Sequence, residues 1–165
     1  MANFSANVAL GREVEFHNNV DNNNPANSAL IVMVLAALNL VGDSTLQDYD
    51  TFADLLAGAS NEVTNGGYAR KTLTDANLTA YTVDDTLNQI VLPLADQTFS
   101  TILAGDSWAK LVIGYDNDTT GGTDANIVPV KYYDVRSPVT NAAVVPVGDD
   151  IIFSFPSGYH IASAS

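Results

Sequence analysis

Leu30-Ile31-Val32-Met33-Val34-Leu35 is an unbroken apolar run in which half the residues are β-branched. A strand with one wet face alternates apolar and polar side chains. A continuous run fits a strand covered on both faces. The turn formers Asp21-Asn22-Asn23-Asn24-Pro25 stand before it and break any structure that precedes.

Upstream of the breaker, residues 7–20 admit two readings. Val14, Glu15 and Phe16 alternate as a strand would, yet Leu10, Val14 and Phe16 could equally mark one side of a helix. Downstream, 48–57 predicts a helix, with Asp50 as its cap and Phe52, Leu55 and Leu56 on one face. Gly58 follows where a left-handed C-terminal residue belongs. Beyond it the texture is β: strands are expected at 68–73, 79–83, 89–94, 108–115, 127–135 and 151–155. Turn chemistry separates them at Asn65-Gly66-Gly67, Asp84-Asp85, 116–124 and Gly148-Asp149-Asp150. Alternation places Val128, Val130 and Tyr132 opposite the face of Lys131. It also sets Ile151, Phe153 and Phe155 against Ile152 and Ser154. Pro93 and Pro129 predict edges or bulges in their strands.

The expected fold is mainly β: a single-domain β-sandwich or barrel-like fold with one short helix. The chain has 165 residues, about one domain's worth. The polar ends, an N-terminal arm at 1–8 and a C-terminal tail at 162–165, are expected to order on a neighbouring molecule.

Hydrophobic residues make up 47%, ample for a core. Charge is lopsided: 6 Lys plus Arg against 19 Asp plus Glu, for a net charge of −13. A nucleic-acid partner is not expected, because nothing here could neutralise a row of phosphates. The longest apolar stretch, 29–38, is too short to span a bilayer, so no membrane association is expected either. Residues 1–10 lack the basic and apolar regions of a signal peptide, which predicts a product made in the cytoplasm. There is no cysteine, which excludes disulfides and thiolate chemistry. Asn3, Asn77 and Asn117 match the glycosylation pattern by chance in a chain rich in Asn and Thr.

Candidate chemistry is sparse. The loop 116–124 opens like a calcium loop, with oxygen side chains at Asp116, Asp118, Thr120 and Asp124 and glycine at Gly121. Ile127 stands where the bidentate glutamate belongs, and the flanks read as strands. A solvated hairpin connection is the preferred reading, with a weak cation site as the alternative. His17 and His160 have neither a Gly-x-Ser-x-Gly turn nor a second ligand at helical spacing, so both read as structural. Asp84-Asp85 and Asp149-Asp150 read as solvated turns rather than a glycosidase pair. Gly66-Gly67 lacks the Gly-Lys-Ser/Thr of a phosphate loop. Arg70-Lys71 suggests an interface salt bridge, and Trp108 a core or interface residue. No catalytic, cofactor-binding or metal-binding residue is nominated.

The stretch Asn61-Glu62-Val63-Thr64-Asn65-Gly66-Gly67-Tyr68-Ala69-Arg70-Lys71-Thr72-Leu73 resembles a segment of small virion structural proteins of tailed bacteriophages. There, a polar turn delivers a Tyr-Ala-Arg-type strand. Residues 7–16 and 24–32, and the order of Asp-Leu-Leu helix, turn and β-rich half, look similar too, so the likeness runs from about Asn7 to Tyr133. It implies a non-enzymatic structural protein of the virion and transfers no functional residue. The expected role is capsid decoration, a cement protein bridging major capsid subunits as a homo-oligomer. The alternative is a minor tail, neck or fibre-associated component. A small β-sandwich enzyme or carbohydrate-binding module is the third reading.

Overall fold

The computed structural model describes residues 3–137 and 140–163. Its strands, in chain order, are β1 (Phe4–Ser5), β2 (Ala29–Ala36), β3 (Lys71–Leu73), β4 (Thr82–Asp84) and β5 (Gln89–Leu92). They continue with β6 (Gln97–Phe99), β7 (Trp108–Asp116), β8 (Ile127–Asp134), β9 (Ile151–Phe153) and β10 (His160–Ser163). Helices α1 (Glu13–Asp21), α2 (Asp43–Leu46) and α3 (Phe52–Ala57) fall in the first third of the chain.

A five-stranded antiparallel sheet, ordered β1-β8-β7-β2-β3, forms the centre. Every residue of β2 is buried. Leu30, Val32, Val34 and Ala36 enter one core, and Ala29, Ile31, Met33 and Leu35 enter another on the opposite face. The first core is closed by Phe16 and Val20 of α1 and by two small sheets, β10-β5-β4 and β6-β9. Leu92, Phe99, Ile151 and Phe153 reach across from those sheets. The second core is closed by Leu46 of α2 and by Phe52 and Leu55 of α3. The protein is mainly β, as expected, but the described residues form three α-helices where one was expected, and no barrel is closed among them.

Segment 7–20 resolves as a short 3-10 turn (Asn7–Ala9) followed by helix α1. The buried stripe of α1 is Glu13, Phe16, His17 and Val20, spaced as a helix requires. Two of those four are polar, so an apolar template could not see it. Leu10, taken as a marker of that face, is 60% exposed. The helix predicted at 48–57 begins later, and Thr51 rather than Asp50 caps it, accepting from the Asp54 N–H at 3.1 Å. Gly58 has a φ of −84°, and the left-handed residue is Ala59.

The expected faces of β8 are corrected by a bulge. Gly114 pairs with Pro129 and Ile113 with Lys131, leaving Val130 as the extra residue. Val128 and Val130 therefore pack in the first core, while Tyr132 crosses to the second. Lys131 shares the face of Ile113, its partner in the register. The bulge that Pro129 predicted is the cause. In β9 the expected faces hold: Ile151 and Phe153 turn inward and Ile152 outward.

The terminal arms do not wait for a neighbour. Phe4 and Ser5 pair with Tyr132 and Lys131, Phe4 stacks on the Tyr132 ring at 4.8 Å, and Ala6 is fully buried. At the other end, Ala162 and Ser163 pair with Ile90 and Gln89 of β5. Met1, Ala2, Ala164 and Ser165 lie outside the described residues.

Asparagine supports the loops in a specific way. Asn23, Asn27, Asn39, Asn88 and Asn141 all have positive φ, a region that Asn tolerates better than other side chains with a Cβ. Gly114 answers a different need, close approach. A Cβ there would sit 2.5 Å from Phe52 Cζ and 2.8 Å from Ile127 Cγ2. Gly114→Ala should cost about 1–3 kcal/mol by overpacking. Gly42→Ala, where a Cβ meets nothing within 4 Å, is the control. Urea denaturation of the two variants checks the contrast.

Candidate functional site

Three groups of charged side chains are set into the fold, and each does something different from a solvated surface charge. The first surrounds Arg70. Its guanidinium donates to both oxygens of Glu62, at 2.7–3.0 Å, and to the Asp124 carboxylate. Tyr68 Oη donates to Glu62 Oε1 at 2.7 Å and accepts from the Val34 N–H at 3.0 Å, filling a gap in the edge of β2. Burial works against the Arg70 charge, but the bonds to Asp124 and Glu62 outweigh it and raise the pKa above its ordinary value. The interface salt bridge expected of Arg70 is thus an internal one.

The loop 116–124 joins β7 to β8, the hairpin connection that was preferred. Two of its carboxylates turn onto the loop's own backbone. Asp116 Oδ1 accepts from the Asp118 N–H, and Asp118 Oδ1 accepts from the Thr120 N–H and hydroxyl. Asp116 is buried and Asp124 is tied to Arg70, so the expectation of a wholly solvated acidic loop is corrected. Among the described residues, no group of three or more His, Asp or Glu side chains is placed to hold a metal ion.

The second group lies beneath α1. His17 is fully buried, and its Nε2–H donates to the Thr79 carbonyl at 2.8 Å. His160 Nδ1 stands 4.0 Å from Glu13 Oε1, and Lys131 Nζ donates to Ser5 Oγ at 3.3 Å on the same side of the sheet. Burial lowers the pKa of both histidines; the Thr79 bond opposes this at His17 and the Glu13 charge opposes it at His160. The Tyr159 hydroxyl, also buried here, has no hydrogen-bond partner among the described residues. Burial pushes its pKa well up.

The third group centres on Lys110, whose side chain is completely buried. Nζ lies 2.5 Å from Asp134 Oδ1 and 3.0 Å from Asp43 Oδ1, under the ring of Phe4 at 4.7 Å from its centroid. Lys110 was not singled out in the sequence. The signal was there: one lysine inside Trp108-Ala109-Lys110-Leu111-Val112-Ile113, a run otherwise apolar on both faces.

The remaining candidates are structural. Asp84 Oδ1 accepts from the Thr86 and Leu87 N–H groups and organises a turn, whereas Asp150 Oδ1 accepts from Thr101 N–H and ties two loops together. Trp108 is a core residue whose Nε1–H donates to buried Asn65 Oδ1 at 2.9 Å. A surface depression of about 350 Å³ is lined by Pro93, Leu94, Phe155 and Pro156 among others, with no titratable side chain. A second, of about 480 Å³, presents Lys71, Asp96, Asn77 and Gln97. No helix among the described residues is long and apolar enough to cross a membrane.

No family model, curated protein or solved structure matches this chain. The site chemistry must therefore be read from the groups themselves.

The buried histidines give a pH dependence with a definite sign. Unfolded histidine titrates near pH 6.5, and the folded values lie lower, so the unfolded chain binds more protons just below that pH. Stability is full above about pH 6.5 and is lost as the pH falls through the window beneath it. The urea midpoint should drop between about pH 7.5 and about pH 5.5, and His17→Gln should shrink the drop.

Asp124 and Asp118 differ in the same loop. Asp124→Asn should lower stability by about 1 kcal/mol through the Arg70 pair. Asp118→Asn should leave the thermal midpoint unchanged, because an amide oxygen can still accept from Thr120.

Proposed function

We propose that this protein is a non-enzymatic structural component of a bacteriophage virion, a decoration or cement protein that bridges neighbouring coat subunits. The observation that carries this reading is the β4–β5 hairpin. β4 is the outer strand of its sheet among the described residues; Val83 on it is 61% exposed, and Leu87 in the turn to β5 is 62% exposed. An outer strand flanked by exposed apolar side chains is a surface on which another chain can pack. A second exposed apolar surface supports the same reading. Residues 101–103 are bonded to 148–150 beside β6 and β9, and Leu103, Val147 and Ile152 project from these segments at 53–72% exposure.

The charged clusters support it too, because the Arg70 and Lys110 side chains are taken up in ion pairs within the fold. The resemblance of residues 61–73 to phage virion segments supplies the biological setting. Excess negative charge suits a position on the outside of a particle, away from packaged DNA. Location in the tail or neck is the alternative, and copy number separates the two.

Quantitative mass spectrometry of purified particles should find this chain in many copies covering the shell. A single ring or a handful of copies would assign it to the tail, and absence from the particle would reject the virion role. Val83→Lys should abolish incorporation with an unchanged melting temperature, since a lysine on an edge strand opposes pairing.

A further inference from the structure

The Lys110 cluster brings together the parts of a condensation reaction. Lys110 and Asp134 are direct register partners on β7 and β8, so the sheet holds both backbones fixed. Their side chains meet directly, Nζ to Oδ1 at 2.5 Å, which sets the amine beside the carboxyl group it would attack. Asp43, in the first turn of α2, places a second carboxylate 3.0 Å from the same nitrogen. Phe4, stacked on Tyr132, covers the amine. No other cation of the described chain is fully buried between two carboxylates.

From this geometry we propose that Lys110 and Asp134 become joined by an intramolecular isopeptide bond, with Asp43 as the catalytic acid–base group. Across this contact a proton passes from Nζ to the Asp134 carboxylate. The resulting neutral amine attacks Cγ of the neutral acid. As the N–Cγ bond forms, the Asp43 carboxylate takes a proton from nitrogen. It then delivers that proton to the departing hydroxyl, the Cγ–O bond breaks, and water leaves. One amine and one carboxylic acid become one amide and one water, Asp43 ends as it began, and no oxidant or cofactor enters. Two groups fixed on adjacent strands have an effective concentration that free reactants never reach.

The bond would close the β7–β8 hairpin at the end opposite its loop. It is independent of the virion reading and is tested without particles. The full-length protein, denatured after purification, should have a mass lower than its sequence mass by one water. Trypsin should fail to cut after Lys110, and the peptide of residues 132–136 should appear only as a branch on the peptide carrying Lys110. Asp43→Asn should restore the sequence mass and the missing cleavage, and Asp43→Glu should recover part of the bond. The sequence mass in the folded wild-type protein would overturn the proposal and leave an ion pair only. Water loss mapped to any other residue would overturn it equally. A bond that persists in Asp43→Asn would remove Asp43 from the reaction.

Discussion

The burial of β2 on both faces is the constraint on which the rest of this structure depends. A strand with no wet side needs two coverings, and the chain makes them from different materials. On one face it spends α1 and two small sheets; on the other, two short helices and the N-terminal segment. Both edges of β2 need hydrogen-bond partners along their length, because its backbone groups are as cut off from water as its side chains. β7 meets that need along the whole of one edge. The other edge is met in pieces, by β3, by residues 61–63, and by the hydroxyl of Tyr68 between them.

Charge enters the interior where those layers must be held in register. Glu62 takes the Tyr68 hydroxyl and the Arg70 guanidinium together, and Arg70 reaches on to Asp124, so the edge of β2 is tied to the β7–β8 loop. Lys110 ties α2 to β7 and β8. Pairs of this kind are costly to break one partner at a time, because the survivor is left with an uncompensated charge in a poor solvent. They fix the arrangement of layers more than they add to its stability.

How far the sequence disclosed this arrangement depended on whether one physical signal dominated locally. The covered strand β2 was legible because its apolar run is rich in β-branched residues and follows a turn-forming segment. β9 alternated cleanly and kept its faces. β8 alternated too, but the bulge at Val130 reversed its second half, and alternation cannot count a residue that the partner strand skips. Helix α1 stayed undecided between helix and strand because its buried stripe contains Glu13 and His17, whose inward position depends on groups that only the fold brings near. The ion clusters were illegible for the same reason: Glu62 and Asp124, or Asp43 and Lys110, are far apart in sequence, and only strand register makes them neighbours. Lys110 alone left a trace, as a charge in an apolar strand.

The fate of the cations has one more consequence. Of the six basic side chains, Arg12, Arg70 and Lys110 are paired with carboxylates, and Lys131 sits half-buried on the side of Glu13. Solvent therefore meets a surface of carboxylates with little to offset them, held close by a fold that cannot expand to relieve the repulsion. Mobile counterions supply the relief instead. At physiological ionic strength the Debye length is about 8 Å, short enough to uncouple carboxylates on different loops but not those within one. The folded state of this protein thus carries an ionic atmosphere as part of its balance, and dilution into low salt loads the loops first.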